Sequence, residues 1–284
     1  MRFANLLGRA VLVTGTDSAG ATDVEKASGG EFGPDPQAVY ERWDEFVGWA
    51  RNTDLTEALP FDVADLRAPA PAPAQVFAIG LNYRDHAAES NFAVPDTFPP
   101  VFTKFRTALS GPQTTVVLPD GGNTDWEVEL VAVIGKRAAN VAAADAWGCV
   151  AGLTVGQDLS ERASQLAGPA PQFSLGKSFP GFAPVGPWVV TVDEFTDPDD
   201  LELGCAVNGE TLQHGRTRQL LFSVPALIEG LSRVTPLLPG DLIFTGTPAG
   251  VGIGRDPKRF LQPGDELTTY VTGIGELRQR FVSA

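Results

Sequence analysis

A β-rich α+β fold is predicted for this chain by three observations. Most apolar runs are short and rich in β-branched residues, turn signals separate them at close intervals, and long amphipathic helical patterns are too few for a doubly wound α/β sheet. The 284 residues, 43% hydrophobic and 20% charged, suffice for a sizeable core in one large domain with a smaller companion.

Residues 1–66 read as a small N-terminal α/β domain. Ala10–Thr14 has the texture of a strand. Asp35-Pro36 then starts a helix whose apolar face carries Val39, Tyr40, Trp43, Phe46 and Val47. Residues 67–74, Arg67 followed by alternating alanine and proline, form an extended and semi-rigid linker that marks the boundary. From residue 75 to 284 strand-like runs dominate: Val76–Gly80, Val128–Ile134, Val150–Val155, Trp188–Val192, Leu242–Thr245 and Leu267–Val271. Asn208-Gly209, between Cys205–Val207 and Glu210–Leu212, is the signature of a tight hairpin. Pro239-Gly240-Asp241 and Pro263-Gly264-Asp265 each turn the chain into a strand.

Composition excludes several functions. No apolar run approaches the roughly 20 residues that span a bilayer, and the first residues lack the pattern of a signal peptide, so no membrane role and a cytoplasmic address are expected. A net charge of −14 argues against nucleic acid as a partner. Two cysteines in apolar stretches, Cys149 and Cys205, are expected to be reduced and buried. With only two histidines, any metal must be held mainly by oxygen.

Glu127 and Glu129 lead directly into the apolar run that ends at Ile134. In a strand they share a face, where two carboxylates repel unless a positive group lies between them. The alternative is an exposed edge or pairing with lysine and arginine. Asp158, Arg162 and Gln165 have the i, i+4, i+7 spacing of one helical face, compatible with a solvated face or with a third carboxylate for Mg²⁺ or Mn²⁺. His86 and Glu89 are i, i+3 neighbours in a helix, an arrangement that lets a carboxylate orient an imidazole as general base; elsewhere it is merely structural. Lys177, in a Gly- and Pro-rich loop, is either solvated or placed for a substrate oxygen. The small-residue loop Thr245–Gly252 offers backbone N–H groups to an anion, or is a tight turn; it has no Walker ending.

In order and spacing these segments resemble the fumarylacetoacetate hydrolase family over residues ~75–284. The matching runs are Ile79–His86, Asp125–Gly135, Gln157–Arg162, Lys177-Ser178-Phe179, Val207–Glu210, Pro239-Gly240-Asp241 and Thr245–Pro248. The resemblance implies a mixed β-sandwich roll, usually a homodimer, with Mg²⁺ or Mn²⁺ (Ca²⁺ as a substitute in crystals) on Glu127, Glu129 and Asp158. It also implies His86 and Glu89 as the water-activating dyad on a lid-like segment, and Lys177 as the group that stabilises an enolate. Arg162, Gln165, Thr247 and Tyr83 are the implied substrate contacts. Trp126, Gln157, Pro180 and Arg218-Gln219-Leu220 depart from the family's usual residues, without removing a ligand or the dyad. The implied reaction is hydrolytic C–C cleavage of an acylpyruvate-like 2,4-dioxo acid, a small 2-oxo acid or diketone substrate. Isomerisation, decarboxylation or dehydration of a 2-oxo dicarboxylate or sugar acid are alternatives, and a non-catalytic metal-binding protein is a remote one.

Overall fold

A computed structural model of the chain describes residues 1–14, 20–53, 58–89 and 97–284. Of the Glu89–Pro99 segment expected as a lid, residues 90–96 lie outside this set. Two sheets face each other. The larger is mixed and runs outward from the Val128–Ile134 strand, which pairs antiparallel with Val150–Gln157 on one side and with Leu242–Phe244 on the other. Leu242–Phe244 in turn pairs parallel with Val76–Ile79. The second sheet has five strands: Glu210–Arg216, Glu202–Val207, Glu266–Val271, Gly275–Ser283 and Gln113–Leu118, in that order.

Every residue of Val128–Ile134 is buried because both faces of this strand are covered. Val128, Leu130, Ala132 and Ile134 join the core shared with the five-stranded sheet, which includes Leu203, Leu277 and Phe281. Val131 and Val133 point the other way, into a core with Phe3, Tyr40, Trp43 and Phe46. By the two-residue period, Glu127 and Glu129 belong to this second face. The expected fold class, a β-rich sandwich, is the observed one.

The N-terminal strands Arg2–Leu6, Arg9–Thr14 and Gly20–Asp23 extend the large sheet, Arg2 lying opposite Val190. The Asp35 carboxylate accepts from Gln37 N at 2.9 Å and Pro36 occupies the first turn, as the capping signal predicts. The helix then tightens into a 3₁₀ turn at Tyr40–Arg42 before resuming at Trp43–Ala50. Its aromatic face stacks edge-on against Phe3. The proline-alternating stretch is packed in its first part: Ala68, Pro69 and Ala70 are buried, with Asn5 Nδ2 donating to the Ala68 carbonyl and Tyr40 OH to that of Pro69.

Two strand expectations shift. The run expected at Trp188–Val192 is a longer strand, Ala183–Val190, whose Pro184 and Pro187 hide its first half from a pattern reading. Val192 opens a 3₁₀ turn. The hairpin at Asn208-Gly209 is as expected, both residues having positive φ (52° and 82°). Among the described residues no helix is long and apolar enough to cross a membrane.

Candidate metal centre and catalytic pocket

The end of one antiparallel strand pair brings three carboxylates together. Val128 lies opposite Gln157 and Glu129 opposite Gly156, so Glu127 precedes one strand as Asp158 follows the other. Asp158 N donates to the Glu127 carbonyl at 2.9 Å, and Glu127 N to Gln157 Oε1 at 2.8 Å. One ligand oxygen from each of Glu127, Glu129 and Asp158 lies within 4.8 Å of the others, and all three residues are buried. Asp158 is not on a helix, contrary to the i, i+4, i+7 reading. The helix is a single turn, Arg162–Gln165, with Asp158 ahead of it at the strand end, so only Arg162 and Gln165 share its face.

Three buried cations answer these carboxylates. Lys177 Nζ bridges Glu127 Oε2 at 2.7 Å and Asp158 Oδ2 at 2.6 Å. Lys104 Nζ donates to Asp158 Oδ1 and to the Lys177 carbonyl. Arg162 holds Asp125 Oδ2 through Nε (2.9 Å) and Nη2 (2.7 Å), Glu127 Oε1 at 2.7 Å, and Gln165 Oε1 at 2.8 Å. Burial alone would push the Glu127 carboxyl up, but Lys177 and Arg162 together hold it well below the usual carboxylate range. Burial also favours neutral Lys177, yet Asp158 and Glu127 outweigh it and raise its ammonium. For Lys104 burial wins over the attraction of Asp158, and the shift is downward.

Glu129 is the exception. Its Oε2 accepts from Gly246 N at 2.7 Å, but burial, Asp158 and Glu127 all push its carboxyl well above the ordinary value. A hard divalent cation suits this donor set: three clustered oxygen ligands, one of which lacks a countercharge of its own. A consequence is testable. Because the folded metal-free protein holds the Glu129 proton more tightly than the unfolded chain does, stability from this group is lost as pH rises through the folded value. A bound cation removes that loss, so the rise in Tm on adding Mg²⁺ should be larger at pH 8 than at pH 6 in thermal melts. An equal rise at both would contradict the assignment.

His86 and Glu89 are in contact. In the Arg84–Glu89 helix His86 Nδ1 lies 2.9 Å from Glu89 Oε1, leaving Nε2 as the other ring nitrogen. His86 and Glu89 line one cavity of about 240 Å³ with Glu127, Arg162, Gln165, Lys177 and Thr247. The Thr245–Gly252 loop does bind anions through its backbone, but the anions are the protein's own carboxylates. Gly246 N reaches Glu129, Gly250 N reaches Glu89 at 2.9 Å, and Gly252 N and Ile253 N reach Asp125 at 2.6 and 2.9 Å.

Of the expected substrate contacts, Thr247 faces the cavity while its hydroxyl accepts from Gln213 Nε2 at 2.8 Å. Arg162 and Gln165 also face it, with the guanidinium engaged by Asp125 and Glu127. Tyr83 is buried, and its hydroxyl has no hydrogen-bond partner among the described residues; burial first, then Glu129, raises it. Sequence reasoning gave no role to Lys104 or Asp125. Lys104 had a legible signal, a lone charge in the apolar run Val101–Phe105. Asp125 gave none, because its partners come from residues 162 and 252–253. Arg162→Ala should cost about 3–5 kcal/mol in urea unfolding, since it takes the cation from buried Asp125 and one of the two cations beside buried Glu127; a loss under 1 kcal/mol, in the range of an exposed pair, would show that these carboxylates relax to water.

Comparisons with known proteins agree with this geometry. The family described as fumarylacetoacetate (FAA) hydrolase C-terminal matches residues 75–282. Mitochondrial oxaloacetate tautomerase FAHD2A of Bos taurus is 42% identical over 225 residues, 79% of this chain and 71% of the relative. A crystal structure of a candidate HpcE protein from Mycobacterium smegmatis is 58% identical with a TM-score of 0.95, covering 100% of both chains. Maleylpyruvate hydrolase from Sphingobium sp. SYK-6, solved with manganese(II) and pyruvate, is 30% identical with a TM-score of 0.82 over 100% of both chains.

Proposed function

The chain belongs to the fumarylacetoacetate hydrolase family, and from that premise we propose that it is a Mg²⁺- or Mn²⁺-dependent hydrolase cleaving a C–C bond in a 2,4-dioxo acid. One observation carries the reading: Glu127, a member of the buried Glu127–Glu129–Asp158 cluster, lines the same cavity as the His86–Glu89 pair. When bound, the divalent ion supplies Lewis acidity and a chelation site for the 2-oxo acid. Glu89 orients the imidazole, and His86 Nε2 takes a proton from water. The water oxygen adds to the C4 carbonyl carbon, the C3–C4 bond breaks, and its electron pair passes to C3 as the enolate of pyruvate. Lys177 offsets the charge that develops there. His86 returns the proton to C3, leaving a carboxylic acid and pyruvate.

The test is ¹H NMR of the Mg²⁺-loaded protein with acylpyruvates and with oxaloacetate. Hydrolysis predicts pyruvate and the matching carboxylic acid in equal amounts. A second reading, keto–enol tautomerisation of a 2-oxo dicarboxylate, is favoured by the 42% identity to a tautomerase. It needs the base and the cation but no attacking water. Unchanged acylpyruvates with accelerated keto–enol exchange of oxaloacetate would replace the first reading by the second.

A homodimer is part of the proposal. Val101, Phe105 and Leu175 are 40%, 47% and 71% exposed on neighbouring segments beside the pocket, joined by the Phe105 N to Ser178 Oγ bond. Light scattering on a sizing column should give twice the 30.0 kDa chain mass, and a single-chain mass would sink this part.

A further inference from the structure

The floor and the mouth of the cavity differ in chemistry. Buried Glu127, Lys177 and Thr247 form the floor, while Leu166, 43% exposed, and the exposed Lys258 stand at the mouth. Much of the remaining wall is apolar, including Ile79, Phe102 and Phe173.

The floor charges answer one another. Lys104, Arg162 and Lys177 pair with Asp125, Glu127 and Asp158, while Glu89 and Glu129 accept from the backbone N–H groups of Gly250 and Gly246, so three cations stand among five carboxylates. A dication brings that group to neutrality. Lys258 stands outside this balance: among the described residues it has no carboxylate partner, although the chain carries a net charge of −14. A neutral polar floor, an apolar wall and one uncompensated ammonium at the rim fit a ligand of matching plan. Its chelating 2-oxo acid sits at the floor, its carbon chain runs along the wall, and a second anion ends at the mouth.

We propose that Lys258 binds the distal carboxylate of the substrate and makes the enzyme selective for 2-oxo dicarboxylates over 2-oxo monocarboxylates. The assignment rests on the reading above, in which the floor takes the 2-oxo acid. A lysine suits the task because its flexible stem lets one ammonium follow chains of different length. Lying at the mouth, the pair is partly screened by water, so the selectivity is modest and weakens with added salt.

Calorimetry on the Mg²⁺-loaded full chain tests this without reference to turnover. The probes are 2-oxohexanedioate and 2-oxohexanoate, which differ only in the distal carboxylate. The wild type should bind the diacid more tightly by roughly three- to tenfold. Lys258→Ala should abolish that preference and leave 2-oxohexanoate affinity unchanged; Lys258→Arg should keep the preference and Lys258→Glu should reverse it. An undiminished preference in Lys258→Ala, with the monoacid still bound, overturns the role of Lys258 alone. Failure of both probes to bind a protein that holds Mg²⁺ overturns the 2-oxo acid reading, and the role of Lys258 with it.

Discussion

His86→Ala is expected to lower turnover by about 10²–10⁴-fold while metal affinity stays unchanged. The imidazole faces the cavity and is not among the clustered carboxylate ligands, so its loss removes proton transfer without touching the triad. Glu89→Gln should give a smaller loss, because the amide still occupies the space beside Nδ1 but no longer offers the ring a carboxylate acceptor that sets its orientation and tautomer. Gly250 N donates to both Glu89 oxygens, at 3.1 and 2.9 Å, so the glutamate is held from two directions and the helix position should survive either change. Single-turnover kinetics beside metal titration separates these effects. Wild-type turnover in a metal-loaded His86→Ala protein would end the base assignment.

Glu129→Gln should act in opposite directions on the metal-free and metal-loaded protein. In the absence of a cation Glu129 is the carboxylate disfavoured by burial, Asp158 and Glu127, so a neutral amide should leave the melting temperature equal to or above that of the wild type. With Mg²⁺ the order reverses, since a ligand oxygen has lost its charge. Affinity should fall by about 10²-fold or more, beyond the loss seen when only a supporting group is removed. The metal-dependent rise in Tm should nearly vanish and turnover should follow it. Asp158→Asn is a poorer probe, because Lys104 and Lys177 both lean on that carboxylate and the fold would respond as well. If Glu129→Gln lowered the metal-free Tm by several degrees, the picture of an uncompensated Glu129 would be wrong.

Much of the site was legible because its residues sit on regular elements. Glu127 and Glu129 bracket Val128 at the head of a strand whose continuous apolar run is plain in the sequence, and His86 and Glu89 meet within one short helix. Local physics alone allows the hard-cation reading of the three carboxylates, and the ordered family segments single it out from an ion-paired alternative. What the sequence hid was long-range. Lys104, 54 residues from Asp158, and Asp125, 127 residues from Gly252, act through partners no local period can reveal. Helical spacing also misled for Asp158, because equal spacing along the chain says nothing about where a strand stops and a turn of helix begins. The Ala183–Val190 strand was half-hidden for a related reason: prolines lower strand propensity locally, and sheet partners override them.

The loop from Gly246 to Ile253 has a consequence for how this enzyme can change over time. Its amides grip Glu129, Glu89 and Asp125, the anchor of Arg162, through groups that every amino acid except proline possesses. Side-chain replacement cannot adjust these three grips one by one. At Gly246 and Gly250, with φ of +103° and +109°, an added methyl would also meet Asn82 Cβ at 2.8 Å and the Leu212 carbonyl at 2.2 Å. The loop therefore works as a common chassis whose displacement moves Glu129, Glu89 and Asp125 together. Drift toward a new substrate has freer room at the mouth, around Leu166 and Lys258, than in the ring of backbone that holds the chemistry in place.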